Sequence, residues 1–172
     1  MKHVPHHLVI DVEADGPTPV THSLLQIGIA DLNGHEFYHE FKPVKGQAVD
    51  MRAMNAIGLT PEQVALYPEA YVGFKALSQW VMENYGGEHV TTWSDNPAFD
   101  WQFVNGLFWA HGDHNPFGFS MRRIGDFYAG IQHNVAAASK WKKMRTGKHT
   151  HNALDDARGN AGALKKILEW SN

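Results

Sequence analysis

Asp11 and Glu13 stand two residues apart at the end of an apolar run, His7-Leu8-Val9-Ile10. Side chains at i and i+2 of a strand point to the same face, so two carboxylates would share one surface. Ionised acids buried together are costly unless a cation compensates or one of them takes a proton. The alternative is a strand that ends early and leaves both acids in solvent. Asp100 falls in Asn96-Pro97-Ala98-Phe99-Asp100, the opening of a predicted helix. A helix dipole is reason enough for an acid there, but the ends of strands in α/β sheets are also where ligands bind. His151-Asn152-Ala153-Leu154-Asp155-Asp156-Ala157 places a histidine before another helix and two acids in its first turn. Asp155 and Asp156 point about 100° apart, so only one can face a sheet easily. Asp156 adjoins Ala157 on the apolar stripe and is the inward candidate; Asp155 is assigned to capping or solvent. Four carboxylates and a histidine from three segments suit phosphoryl chemistry with two hard cations, about 4 Å apart, clamping attacking and leaving oxygens.

The elements that must position these groups read as follows. Strands are expected over 7–13, 24–32 and 35–42, with Asn33-Gly34 as the hairpin signal between the second and third. The segment 14–23 is loop. Thr60-Pro61-Glu62-Gln63 is a helix start with a capping box. A helix over 69–84 presents Phe74, Leu77, Trp80 and Val81, and Gly86-Gly87 ends it. A fourth strand covers 89–93. The helix beginning at Asn96-Pro97 carries Phe99, Phe103 and Leu107. A weak fifth strand is placed at 119–124. The last helix, 153–169, has an inner stripe of Leu154, Ala157, Ala161, Leu164 and Leu168, and one more helix fits before it. A meander followed by crossover-linked strands makes an α/β fold with a mixed five-stranded sheet flanked by helices. Residues 1–172 are read as one domain.

Composition narrows the function. The chain has no cysteine, which removes thiolate nucleophiles, disulfides and cysteine-bound metals. A hydrophobic content of 43% with 19% charged residues fits an ordinary globular protein. No apolar run approaches bilayer-spanning length, so no membrane partner is expected. MKHVPHHLVI does not read as a secretory signal, and a cytoplasmic location is expected. The net charge of −3 argues against wrapping a long duplex, so nucleic-acid contact should be local and short. Lys140, Lys142, Lys143, Arg145 and Lys148 precede His151, and either grip phosphates, Lys148 among them, or form a solvated loop. Trp141 is assigned to packing. His3, His6 and His7, or His149 with His151, match no tight zinc spacing and are read as surface histidines.

The three acidic segments resemble the motifs of the DEDDh exonucleases, the family of polymerase proofreading subunits and ribonuclease T. Asp11-Val12-Glu13 matches the first motif. Asn96, Phe99, Asp100 and Phe103 match the second, and His151, Ala153, Asp156 and Ala157 the third. The likeness runs from residue 8 to 168. It implies a ribonuclease H-like fold and 3′→5′ hydrolysis of phosphodiester bonds in DNA or RNA. It also implies two Mg²⁺ ions, with Mn²⁺ as a substitute, held by Asp11, Glu13, Asp100 and Asp156. Asp11 would bridge both, Glu13 and Asp156 would hold the ion that carries water, and Asp100 would act through the other ion's shell. His151 would be the general base, a task that suits an imidazole near neutral pH. The partner implied is a nucleic acid with a free, single-stranded 3′ end, and the family's frequent dimerisation allows a homodimer. Ile57-Gly58-Leu59-Thr60 resembles the segment that meets the terminal nucleotide, and Ala14, Leu59, Asn96 and Phe99 are the substrate-contact candidates. Ala14 departs from the small hydroxyl residue usual after the first glutamate, so a side-chain contact to the sugar is lost. Two rivals remain: a non-catalytic nucleic-acid-binding module of the same fold, which would have a broken acid set, and another metal-dependent phosphohydrolase acting on nucleotides or internal bonds.

Overall fold

The computed structural model describes residues 6–170. Its strands are β1 (His6–Ala14), β2 (Leu24–Asp31), β3 (Glu36–Glu40), β4 (Val90–Ser94) and β5 (Arg122–Arg123), in the order β3-β2-β1-β4-β5. β1–β2 and β2–β3 pair antiparallel, whereas β1–β4 and β4–β5 pair parallel, giving the expected mixed sheet. The helices are α1 (Met51–Ile57), α2 (Pro61–Val64), α3 (Ala70–Tyr85), α4 (Pro97–His111), α5 (Ile124–Ile131) and α6 (Ala153–Trp170), with short 3-10 turns at 135–137 and 140–144. None of the described helices is long and apolar enough to cross a membrane.

The sheet separates two apolar layers. Leu8, Ile10, Val12, Ile27 and Ile29 pack with Leu77 and Val81 of α3 and with Phe103, Val104 and Phe108 of α4. Val9 and Ala30 pack on the opposite face with Ala157, Ala161, Leu164 and Ile167 of α6, and with Ile124 and Trp141. Alternation along β1 therefore puts Asp11 and Glu13 on the face that α6 covers. Gly28 lies opposite Asp11 in the β1–β2 ladder. A Cβ on Gly28 would come within 2.2 Å of the Ala153 backbone, so this glycine lets the first turn of α6 lie directly on the sheet.

Two elements differ from expectation. The fifth strand shrinks to Arg122–Arg123, both exposed, paired with Trp93 and Ser94. Helix α1 was not foreseen; it is capped by Asp50, which accepts from the Arg52 amide, and by Gly58 at φ 71°. The hairpin after β2 forms where expected, with Gly34 at φ 103°. Its turn depends on Asp31, whose Oδ1 accepts the amides of Asn33, Gly34 and His35 at 2.7–2.8 Å while Oδ2 accepts His35 Nδ1 and Tyr85 Oη. Burial alone would raise this carboxyl, but the hydrogen bonds from His35 and the turn hold it below the usual range. Asp31→Ala should cost roughly 2–4 kcal/mol in urea unfolding, because three amides lose a buried charged acceptor. A loss below about 1 kcal/mol would mean the Asn33-Gly34 turn closes without it.

Candidate active site

Three elements bring the acids together. Ligand atoms of Asp11, Glu13 and Asp156 lie within 4.8 Å of one another. Asp11 and Glu13 come from β1, whose register with β2 shifts between Glu13 and Ala14, Leu25 of β2 being the extra residue. Asp156 comes from the first turn of α6, where Asn152 caps the helix by accepting the amides of Leu154 and Asp155. Gln26 Oε1, neighbouring Glu13 across the ladder, accepts the Ala153 amide at 3.4 Å. Asp155 is exposed and pairs with Arg158, leaving Asp156 as the inward acid.

Asp100 stands at the side of this cluster. β1 pairs with β4 only as far as Val9 opposite Trp93. Beyond that the Val12 amide turns to Asp100 Oδ1 at 3.0 Å. Asp100 Oδ2 accepts the Ser94 hydroxyl, and Ser94 Oγ also takes the Asn96 amide at 2.8 Å. Both oxygens of Asp100 are thus fixed by protein donors before any ligand arrives.

The electrostatics call for positive charge. Asp11 keeps part of its surface accessible, yet surrounding atoms desolvate its carboxylate and Asp100, Glu13 and Asp156 repel it, so its pKa lies well above the usual range. Arg145 opposes that rise. Burial, then Asp156 and Asp100, push Glu13 up to about 8. Burial raises Asp100 to about 7 despite the opposing hydrogen bonds from Ser94 and Val12. Clustered oxygens that resist ionisation alone are the donor set a divalent cation satisfies. The residues fit such ions.

The loop before α6 closes over Asp156. Its Oδ1 accepts the Thr150 amide and its Oδ2 the His151 amide, both at 2.9 Å. His151 takes a left-handed φ of 58°, and its Nδ1 lies 3.8 Å from Glu13 Oε1. His149 Nδ1 lies 2.6 Å from Asp156 Oδ2. The reading of His149 as a surface histidine missed this contact; the alternation His149-Thr150-His151 was its visible trace.

A cavity of about 460 Å³ opens beside Glu13 and His151, lined also by Ala14, Gly16, Pro17, Asp50, Arg52, Ala53, Ala56, Ile57 and Phe99. Ala14 and Phe99, two of the substrate-contact candidates, are thus on the wall of this cavity. Leu59 packs instead against the cluster of Leu25, Met54 and Val64, and it is Ile57 that lines the cavity. Asn96 precedes α4 and is exposed. In the basic segment, Lys142 and Arg145 both pair with Asp95, and Arg145 also donates to Asn160. Trp141 is fully buried and stacks under Arg145. Lys140, Lys143 and Lys148 stay exposed. His6 and His7 bind Glu88 and Trp93 respectively, and His3 lies outside the described residues.

Comparison with known proteins accords with this geometry. The family described as the 3′-5′ exoribonuclease Rv2179c-like domain matches residues 6–168. The chain belongs to this exonuclease family. The 3′-5′ DNA exonuclease Cap18 of Escherichia coli is 30% identical to this family member, covering 94% of this chain and 91% of that protein. The fold is shared with the nuclease domain of 3′hExo, a DEDDh family member bound to rAMP, at TM-score 0.79 and 16% identity over 98% of this chain and 94% of that one. It is shared also with a zinc-bound E. coli ExoI–ssDNA complex, at TM-score 0.72 and 15% identity, over 97% of this exonuclease and 40% of that chain. The sheet and its flanking helices are thus the ribonuclease H-like arrangement of DEDDh exonucleases.

Proposed function

We propose that this enzyme removes nucleotides from the free, single-stranded 3′ end of DNA or RNA by a two-metal reaction with His151 as general base. The observation that carries the reading is the convergence of Asp11, Glu13 and Asp156 beside a half-exposed histidine at the mouth of a nucleotide-sized cavity. Asp11, Glu13 and Asp156 would hold two divalent cations, Mg²⁺ in the first instance, with Asp100 bracing the second. Bound there, such ions supply the charge that lowers the pKa of attacking water and stabilises the departing 3′ oxygen. Asp100 is oriented by the Ser94 hydroxyl and the Val12 amide, which would hold its carboxylate in place for that role. His151 would take the water's proton, and its place on a loop pinned to Asp156 sets its distance from the reacting atoms. Ala14, Pro17, Ala53, Ile57 and Phe99 would enclose the terminal nucleoside through apolar contact. Ala14 offers the sugar no hydroxyl, which supports acceptance of both sugars, in keeping with a family described by RNA and a relative described by DNA.

Matched single-stranded DNA and RNA, labelled at the 5′ end, test the reading with Asp100→Asn as inactive control. Stepwise shortening of both from the 3′ end is expected. Internal cuts or hydrolysis of free nucleotides would favour the other phosphohydrolase, and binding without cleavage the non-catalytic module. His151→Ala should lower turnover by about 10²–10⁴-fold, the range of general-base catalysis, with calorimetric metal affinity nearly unchanged. Equal losses in both would remove His151 from the base role.

A further inference from the structure

The 3-10 turn at Lys140–Met144 sorts its side chains onto three faces, because residues three apart eclipse one another in such a turn. Trp141 and Met144 share the inward face: Trp141 is fully buried, and Met144 packs against the same apolar layer. Lys142 and Arg145 share the second, and both reach Asp95 Oδ2, at 2.6 and 3.2 Å. Lys140 and Lys143 share the third, which is exposed, and among the described residues neither has an ion-pair partner. The turn is firmly mounted. Arg145 Nε donates to Asn160 Oδ1 at 2.7 Å, its guanidinium lies over the Trp141 ring, and Lys166 Nζ donates to the Met144 carbonyl at 3.0 Å. A solvated loop would lack these anchors, so Lys140 and Lys143 stand on a fixed ledge.

The ledge borders the acids. Asp95, which Lys142 and Arg145 grip, directly follows Ser94, the residue that holds Asp100. From Arg145 the chain runs five residues to Thr150, whose amide donates to Asp156, a reach of at most about 17 Å. Lys148, also exposed, lies on the way. None of these basic residues lines the cavity beside Glu13 and His151. We propose that Lys140, Lys143 and Lys148 hold the phosphates of nucleotides on the 5′ side of the scissile bond, so that strands several nucleotides long are preferred to the shortest. This rests on the exonuclease reading of the acids. At about 3.4 Å per stacked nucleotide, the reach covers up to about five nucleotides. An ammonium is a point charge that meets phosphate without reading base or sugar, so the grip is independent of sequence and serves DNA and RNA alike.

The test compares Lys140→Gln/Lys143→Gln with Lys75→Gln/Lys165→Gln, which removes the same charge from exposed positions on α3 and α6. Each full-length variant is given a single strand of about twelve nucleotides and, separately, a dinucleotide whose only phosphate is the scissile one. The ratio of kcat/KM for the long strand to that for the dinucleotide should fall about tenfold in the first variant, through KM, and by less than about twofold in the control. Fluorescence anisotropy of the labelled long strand, in the inactive Asp100→Asn background, reads binding without cleavage. Each phosphate contact contributes about 0.7 to the salt slope of log Kd, so the slope should drop by about 1.4 without Lys140 and Lys143, and by about 0.7 in Lys148→Gln. A length ratio or salt slope that moves no further than in the control would overturn the proposal. Wild-type protein that shortened neither substrate from its 3′ end would sink the exonuclease reading, and the length preference with it. Shortening of both, with an unmoved salt slope in the lysine variants, would sink the ledge alone.

Discussion

Asp11→Asn should abolish hydrolysis and, in metal-free buffer, raise the melting temperature. Asp11 has neighbours of like charge in Asp100, Glu13 and Asp156, and its desolvated carboxylate resists ionisation. Asparagine keeps the shape and removes the charge, so each kcal/mol of repulsion relieved should appear as roughly 2–4 °C. The same change removes a carboxylate from the group that would hold the cations. Loss of one member of a set acting as a unit is grossly non-additive, so turnover should fall by at least about 10³-fold. A protein that gains stability as it loses function has sited its acids for a ligand and not for the fold. A metal-free melting temperature unchanged or lowered by Asp11→Asn would show that the cluster is not under electrostatic stress.

The wild type should show that stress as a pH dependence. Glu13 titrates at about 8 and Asp100 at about 7 in the folded chain, against about 4 for ordinary carboxylates. The folded state therefore keeps protons that the unfolded chain has released. Stability must then fall as pH rises from about 4 to about 8, and the cost at the upper end is on the order of a few kcal/mol. Asp31, whose carboxyl is held below its usual range, acts in the opposite sense, but its contribution is lost only as pH falls below about 4. Thermal melts in chelator between pH 5 and 8.5 should slope downward, and saturating Mg²⁺ should flatten or reverse the slope by stabilising the ionised acids. A flat profile without metal would mean that water already screens the group.

The parts of the site that chemistry makes conspicuous were legible in the chain. Two acids ending an apolar strand break the binary pattern, and the first-turn acids of α4 and α6 stand beside apolar stripes at helical spacing, so Asp11, Glu13, Asp100 and Asp156 all drew notice. What the chain hides are their supports. Ser94 is an ordinary serine until the fold places it on Asp100. Gln26 meets the Ala153 amide across 127 positions of sequence, a contact no local pattern encodes. For Lys142 and Arg145 the chain leaves open phosphate contact or a solvated loop, and hides that Asp95, 50 positions before Arg145, pairs with both. Helix α1 escaped because Met54 alone of its seven residues is buried, leaving no periodic stripe, although Asp50 and Gly58 were readable caps. The fifth strand was overdrawn for a related reason: Arg122 and Arg123 pair with β4 through the backbone, and neither side chain is buried, Arg122 lying over the face of Trp93.

Gly28→Ala is expected to be among the most damaging single-methyl additions in this protein. The new Cβ would sit 2.2 Å from the carbonyl carbon and oxygen of Ala153 and 2.3 Å from the Leu154 amide nitrogen. All three are backbone atoms at the start of α6, so no flexible side chain can yield. The first turn must lift from the sheet, carrying Asp156 and the loop bearing His149 and His151 away from Asp11 and Glu13. Overpacking of this kind costs about 1–3 kcal/mol or more, measurable by urea unfolding. Misplacing a reacting group by about 1 Å can cost 10²-fold in rate, so turnover should fall at least that far in whatever fraction stays folded. Gly106→Ala is the matched control. It lies within α4, and its nearest neighbour is Pro19 Cβ at 3.6 Å, an ordinary contact. There the methyl should be tolerated, with a helix-propensity gain of up to about 1 kcal/mol. If Gly28→Ala instead kept full turnover and stability, α6 could shift without moving its acid, and the close seat of this helix on β2 would not be what brings Asp156 to β1.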